Sequence, residues 1–429
     1  MGKSNKLIAA IDVGTTKVIA LAGRLNQVGR MEIMGFGKSR SMGVKRGVVL
    51  NIREAFQSVH EAVSQAEKTA GEVIEEVYVN VGGQQLKTFT LNAELDFGET
   101  RMVTEEDLRS LLLQAEQAKL PEGYKVYHLA PQRYTVDEEA GIPEPVGITG
   151  EKLAVSFKLL AGPEQYEQNL RMCMDRAGIL IRKTLVDSMG PAEVLLSEDE
   201  KEAGVVLLDI GGGTTKMTVY CDGLLCYSSL VPFGGNVITR DIKEGCSILA
   251  RQAEALKVQF GQAMGDFAPS DKVVTIPGIS GWEPKEISFK NLAYIIQARM
   301  EEIIDACYFQ LEKSACLDRI GAGIVITGGG AQLHNLGQLI KYRTGLDVRQ
   351  GVPRIRLEPE WKELKNPGLA TAVGLLHLAL QEPLSAGKKR TERKRKQKNT
   401  QPGFFSQVKQ QVARQVTLFF EEEQDMEMH

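Results

Sequence analysis

The sequence predicts an α/β protein built by duplication. It has two related domains, a smaller α+β subdomain inserted into the first, and an amphipathic helix at the C-terminus. Three observations carry this reading. A strand–Asp–Gly–Thr–strand hairpin occurs twice, a segment of different pattern interrupts the first copy, and the chain end places apolar residues at helical spacing behind a basic run.

The first hairpin is Leu7-Ile-Ala-Ala-Ile-Asp12-Val-Gly14-Thr15-Thr16-Lys17-Val-Ile-Ala-Leu21. The second is Gly204-Val-Val-Leu-Leu-Asp209-Ile-Gly211-Gly212-Gly213-Thr214-Thr215-Lys216-Met-Thr-Val-Tyr220, read as resuming its strand at Lys216. An unbroken apolar run ending in a polar bend reads as a buried strand. A bend of Gly and Thr carries little side chain, so its backbone N–H groups can cradle an anion. An Asp at the strand end is placed to hold a hydrated divalent cation beside it. One such loop alone is most often only a flexible hairpin. Two, with Asp in the same place 197 residues apart, point to two domains facing one nucleoside triphosphate.

Composition sets the frame. At 429 residues the chain can form several cored domains. No apolar run approaches the ~20 residues of a membrane span, and no secretory signal is visible. Gly2 is followed by Lys6 where a myristoylation signal needs Ser or Thr. The six cysteines show no metal-ligand spacing and read as buried reduced thiols of a cytosolic protein. From residue 385 onward there are ten basic and six acidic residues, net +4. The body is left with 42 basic against 49 acidic, net −7, from chain totals of 52 and 55.

In chain order, each hairpin adds a third strand (residues 31–37 and 224–233). A helix over 52–69, with Ala55, Phe56, Val59, Ala62, Val63 and Ala66 on one face, and a strand over 77–81 complete the first unit. The first domain thus occupies 1–83 and returns at 163–203, around an α+β insertion at 84–162. The insertion has strands near 94–97 and 126–134, a helix capped by Thr104 and bearing Leu108, Leu111, Leu112 and Leu113, and a loop over 136–149. The second domain spans 204–384. In it a Gly-rich turn with Gly235 and Asn236 opens a helix, Glu254 and Lys257 share a helical face as an ordinary i, i+3 pair, and a long helix covers 292–313. The strand end Thr327-Gly328-Gly329-Gly330-Ala331 would let backbone lie flat against adenine, and the last helix covers 369–380.

The ordered set Asp12-Val-Gly-Thr-Thr-Lys17, Asp209-Ile-Gly-Gly-Gly-Thr-Thr215, Thr327-Gly-Gly-Gly-Ala331 and Gly368-Leu-Ala-Thr-Ala-Val-Gly374 resembles the phosphate, adenosine and connecting-helix motifs of the actin-like (ribonuclease-H-like) ATPase superfamily. Within it the chain most resembles the FtsA family of bacterial cell-division proteins over residues 7–380, the insertion included. The resemblance implies ATP and Mg²⁺ as cofactors, with Asp12 and Asp209 holding Mg²⁺ through water. Gly14, Thr15, Thr16, Lys17, Gly211, Gly212, Gly213, Thr214 and Thr215 would surround the phosphates, together with Gly235 and Asn236. Glu254 and Lys257 would meet the ribose, and Gly328, Gly329 and Gly330 the adenosine.

Hydrolysis also needs a group to orient water. Related filament ATPases carry Gln or Glu at the start of the helix before the second phosphate strand. Here Asp187 stands nearest, so at most slow ATPase activity is expected. The implied partners are the C-terminal peptide of FtsZ, with Arg299 as its anchor, further copies of the chain in a filament, and other division proteins at the insertion. A pilus-assembly ATPase of the PilM type, which shares the insertion, and a small-molecule kinase are the alternatives inside the fold.

Residues 388–398 carry eight bases in eleven positions, a pattern of solvated linkers and nucleic-acid arms alike. The following residues decide between readings. Phe404, Phe405, Val408, Val412, Val416 and Phe419 fall on one helical face. A basic linker (385–402) before an aromatic-rich amphipathic helix (403–420) is the design of an interfacial anchor on anionic lipid. Together with the resemblance, it implies a cytoplasmic protein peripheral to the inner face of the membrane at the division site, with no nucleic-acid partner. The acidic terminus, 421–429, has no assigned role.

Overall fold

The computed structural model describes residues 6–278, 283–354 and 361–382. The expected basic linker, amphipathic helix and acidic terminus, with the six apolar residues from Phe404 to Phe419, lie outside these.

Two five-stranded sheets repeat one topology. In the first, the strands Ile8–Val13, Lys17–Leu25 and Met31–Arg40 form an antiparallel meander, and Glu76–Val81 then Leu180–Val186 join in parallel on the other side of Ile8–Val13. In the second, Val205–Ile210, Thr215–Cys221 and Leu224–Val231 form the meander, and Ile324–Thr327 then Val348–Gln350 the parallel side. Both therefore have spatial order 3-2-1-4-5, as duplication requires. The first strand of each sheet is buried at nearly every position, as expected for a central strand covered on both faces.

The helix Ile52–Ala70 covers the first sheet, its N-terminus capped by the Asn51 side chain, which accepts from Arg53 and Glu54 N–H. It sits so close to Met31–Arg40 that a Cβ on Gly37 would lie 1.8 Å from the Ala62 carbonyl oxygen. Two helices join the halves. Met189–Leu195 and Ala370–Gln381 cross at glycines, where a Cβ on Gly374 would lie 1.9 Å from the Gly190 oxygen. Although the chain reaches Ala370–Gln381 after the second sheet, this helix packs on Ile8–Val13 and Lys17–Leu25 and shares the core of the first half.

The insertion has its own sheet, in the order Lys87–Met102, Thr149–Pro163, Tyr124–Val136, Glu139–Ile142, all antiparallel, and its own core around Phe157, Leu153 and Leu111. The strands are longer than their apolar centres indicate. Residues 136–149 are not a simple loop, because Glu139–Ile142 pairs back after a turn with Asp137 at φ 53°. Thr104 is the N-cap of Glu105–Glu116, and its N–H donates to Asp107 at 2.8 Å. Of the four leucines there, Leu111 is buried while Leu112 and Leu113 face out. Residues 264–290 contain the hairpin Val273–Ile276 and Lys285–Ser288, after which the long helix Phe289–Lys313 begins.

Candidate functional site

Ligands of parallel sheets gather at the carboxyl ends of the strands. Here Asp12, Asn80 and Asp187 stand at three such ends of the first sheet, and Asp209 and Thr327 at two of the second. The Asp12, Asp187 and Asp209 ends line one cleft with Lys17 and Lys216.

The two hairpin turns are equivalent in length. Val13 pairs with Val18 across Gly14-Thr15-Thr16-Lys17, and Ile210 pairs with Thr215 across Gly211-Gly212-Gly213-Thr214. Each closes with the same bond, Gly14 N–H to the Lys17 oxygen at 3.1 Å and Gly211 N–H to the Thr214 oxygen at 2.9 Å. Aligning the two Thr-Thr-Lys triplets is therefore off by two residues. The second strand resumes at Thr215 rather than Lys216, and the position equivalent to Lys17 is Thr214. Thr215 is fully buried and its hydroxyl donates to the Phe233 oxygen at 2.9 Å, so it braces the hairpin outside the cleft.

The turns meet face to face. A Cβ on Gly212 would lie 2.2 Å from Thr16 Cγ2, and one on Gly213 2.7 Å from Thr15 Cγ2. The Gly235 and Asn236 N–H groups tie back the carbonyls of Gly211 and Gly212, at 2.9 and 2.7 Å. Among the described residues no hydrogen bond occupies the N–H groups of Thr15, Thr16, Gly212 or Gly213. Uncommitted donors on two facing turns suit an anion.

Beneath them lies a charge cluster. Lys216, directly across the ladder from Asp209, donates to Asp187 at 3.0 Å and Asp209 at 3.2 Å. Asn80 Nδ2 donates to Asp12 at 2.8 Å while its Oδ1 accepts from Val13 N–H at 2.7 Å, which fixes the Asp12 carboxylate. Burial pushes the Asp12 carboxyl up to about 6 against the pull of Lys216 and Lys17. Burial also raises Asp187, with Lys216 opposing, and lowers Lys17. Lys17 has no ion-pair partner among the described residues, and a Cβ on Gly368 would lie 2.7 Å from its Nζ. Three buried carboxylates against two lysines leave the cluster one negative charge in excess, a donor set that fits a hard divalent cation held through water.

The adenosine and ribose groups are placed less uniformly. Gly328 sits at φ 86°, and a Cβ there would meet Asp209 Oδ1 at 2.4 Å, so only glycine fits. Gly329 lines the cleft, whereas Gly330 packs against Ile210. Lys257 donates to Glu254 at 2.7 Å, to Thr239 at 2.7 Å and to the Gly235 oxygen at 2.9 Å, joining the pair to the Gly-rich turn. Arg299 spans Asp241 at 2.5 and 3.1 Å and Glu302 at 2.5 Å, so its guanidinium is already committed to two carboxylates.

Asn80 and Lys216 line the cleft without a site role expected from the sequence, and Gly368 and Thr371 bring the connecting-helix motif into it. Asn80 and Lys216 were detectable. Asn80 is a lone amide in the apolar run of Glu76–Val81, and Lys216 is the cross-strand partner of Asp209 once the turns are matched by length.

Family models match in two places: "Cell division protein FtsA" over residues 206–374 and "SHS2 domain inserted in FTSA" over residues 83–161. The chain is 30% identical over 380 residues to the cell division protein FtsA of Pseudomonas aeruginosa, covering 89% of this chain and 91% of that protein. It is 31% identical to that of Borreliella burgdorferi (87% and 91%) and 30% identical to that of Escherichia coli (89% and 92%). Among solved structures, a PilM–PilN type IV pilus biogenesis complex aligns at TM-score 0.60 and 15% identity, covering 88% of this chain and 99% of that one. MreB5 of Spiroplasma citri bound to ADP aligns at 0.51 and 14%, covering 87% and 96%. At such identities these likenesses speak for the actin-like fold alone.

Proposed function

This chain belongs to the FtsA family of bacterial cell-division proteins, and on that premise we propose that it binds Mg-ATP between its two halves, polymerises on the inner face of the cytoplasmic membrane and tethers FtsZ filaments there. The observation that carries the nucleotide part is the pair of facing four-residue turns with uncommitted N–H groups above Asp12, Asp209 and Lys216. Thr15, Thr16, Gly212 and Gly213 would hold phosphate, Lys17 would neutralise it, and Asp12 and Asp209 would carry Mg²⁺ through water. The cation supplies charge neutralisation between phosphates and the buried carboxylates.

Hydrolysis would be slow. Asp187 is the acidic group nearest the role of water-orienting base, and its carboxylate is held by Lys216, which favours the ionised form but restricts its reach. ATP then acts chiefly to bridge the two halves and favour the polymer. Arg299 is the proposed contact for the acidic FtsZ peptide, in exchange for Asp241 and Glu302. Among the described residues no helix is long and apolar enough to cross a membrane. Membrane attachment therefore rests on the aromatic stripe Phe404, Phe405, Val408, Val412, Val416 and Phe419 behind the basic run.

Co-sedimentation with anionic liposomes in Mg-ATP tests the tether. The full chain is expected to pellet and a truncation ending at Leu384 to stay soluble. If both remain soluble, the anchoring role is lost; if both pellet equally, the terminal helix is not the anchor.

A further inference from the structure

The intervals between the cysteines hide a cluster that the fold assembles. Cys221 closes the strand Thr215–Cys221, Cys226 lies in Leu224–Val231 across the Asp222-Gly223 turn, and Cys316 arrives from the turn after the helix Phe289–Lys313. Their sulfur atoms all lie within 4.8 Å of one another, and the three residues are 1%, 6% and 4% exposed. No disulfide joins any of them. Cys173, Cys246 and Cys307 lie outside the cluster.

We propose that Cys221, Cys226 and Cys316 form a thiolate site for a zinc-class cation, which fastens the second sheet to the end of its long helix. Tetrahedral zinc with bonds of about 2.3 Å places its sulfurs about 3.8 Å apart, and sulfurs within 4.8 Å of one another lie close to that separation. Three ligands leave one corner of the tetrahedron to water. Zinc with three thiolates carries one net negative charge, and a guanidinium stands beside it. Arg319 Nη1 lies 3.9 Å from Cys226 Sγ, and its guanidinium is itself held by Asp222 in the turn between the first two ligands. A donor that contacts a ligand sulfur from outside orients it and tunes the site.

The location gives the site a consequence. The same hairpin receives the insertion: Gln132 donates to the Leu225 oxygen at 3.1 Å, Arg133 to the Asp222 oxygen at 3.3 Å, and Thr88 to the Ser228 oxygen at 2.8 Å. A metal that stiffens this hairpin stiffens the seat on which the inserted subdomain rests. This function is independent of the nucleotide cleft.

The test uses the full chain, isolated with reductant and without chelator, and measured for zinc by mass spectrometry and for Co²⁺ binding by absorbance. One metal per chain is expected, with the thiolate-to-cobalt bands of a tetrahedral sulfur site. Cys316→Ser and Cys226→Ser should lose these bands and most of the metal, while Cys307→Ser, a buried cysteine outside the cluster, keeps both. Protein that stays metal-free after reconstitution with Zn²⁺, or binds it equally in Cys316→Ser and Cys307→Ser, overturns the proposal. So does an alkylation map showing two of the three thiols joined as a disulfide under reducing isolation.

Discussion

The two hairpin turns have the same length and the same closing hydrogen bond, yet they divide the chemistry unequally. The first, Gly14-Thr15-Thr16-Lys17, brings two hydroxyls and a half-buried cation; the second, Gly211-Gly212-Gly213-Thr214, brings bare backbone at its three glycines. The two lysines show the same division. Lys216 lies on the strand below its turn and is locked between Asp187 and Asp209, whereas Lys17 lies in the turn itself with its pKa lowered by burial and, among the described residues, no ion-pair partner. Duplication thus preserved the frame and separated two duties. One lysine holds the carboxylates of the two halves together, and the other is available to a ligand.

The largest effect should come from breaking that division at its structural side. Lys216→Met leaves Asp187 and Asp209 buried without their counter-charge, at a cost of ~3–5 kcal/mol, read by urea unfolding. Lys17→Met, at a partly buried position, should leave unfolding unchanged or slightly improved and weaken ATP binding instead. Equal destabilisation by the two substitutions would remove the distinction.

Next comes the approach of the turns. Gly213→Val introduces atoms where Thr15 already lies 2.7 Å from a Cβ, so nucleotide affinity should fall at least about tenfold, ~1.4 kcal/mol, in a fluorescent-ATP titration. Gly29→Ala is the companion substitution, since no atom lies within 4 Å of a Cβ there. Its left-handed φ costs some stability, but ATP affinity should be unchanged.

Asp12 separates folding from binding. Its folded pKa of about 6 exceeds the ordinary value of 3.8. Its contribution to stability is therefore full below pH 3.8 and lost as pH rises through 6. Asp12→Asn should stabilise the ligand-free protein near pH 7 by roughly 1–3 kcal/mol, and Mg²⁺ should no longer strengthen ATP binding. In the unsubstituted chain Mg-ATP affinity should decline as pH falls through 6.

Arg299→Glu, on a half-exposed helix face, should cost only ~1 kcal/mol of stability and reduce binding of the FtsZ C-terminal peptide. Unchanged peptide affinity would take Arg299 out of that contact.

Much of this was legible because it is local. Hairpin glycines, Asp at strand ends, the Thr104 cap, and the shift of pattern at the insertion are read within a few residues of one another. What escaped reading is set by pairing across distance. The match of Lys17 with Thr214 depends on strand register, which a shared Thr-Thr-Lys obscures. Glu139–Ile142 is a short strand visible only through its partner. Arg299 read as an available charge, but Asp241 comes from another helix 58 residues away. Cys221 and Cys316 lie 95 positions apart in sequence, so no spacing rule unites them.

We propose that one Mg-ATP bridges the two turns. Calorimetric titration of ATP into the full chain, with and without Mg²⁺, tests it most directly when repeated on Lys17→Met and Gly213→Val. A single site, strengthened by Mg²⁺ and weakened by a substitution in either turn, is expected. Binding that ignores Mg²⁺, or that survives both substitutions unchanged, would contradict it.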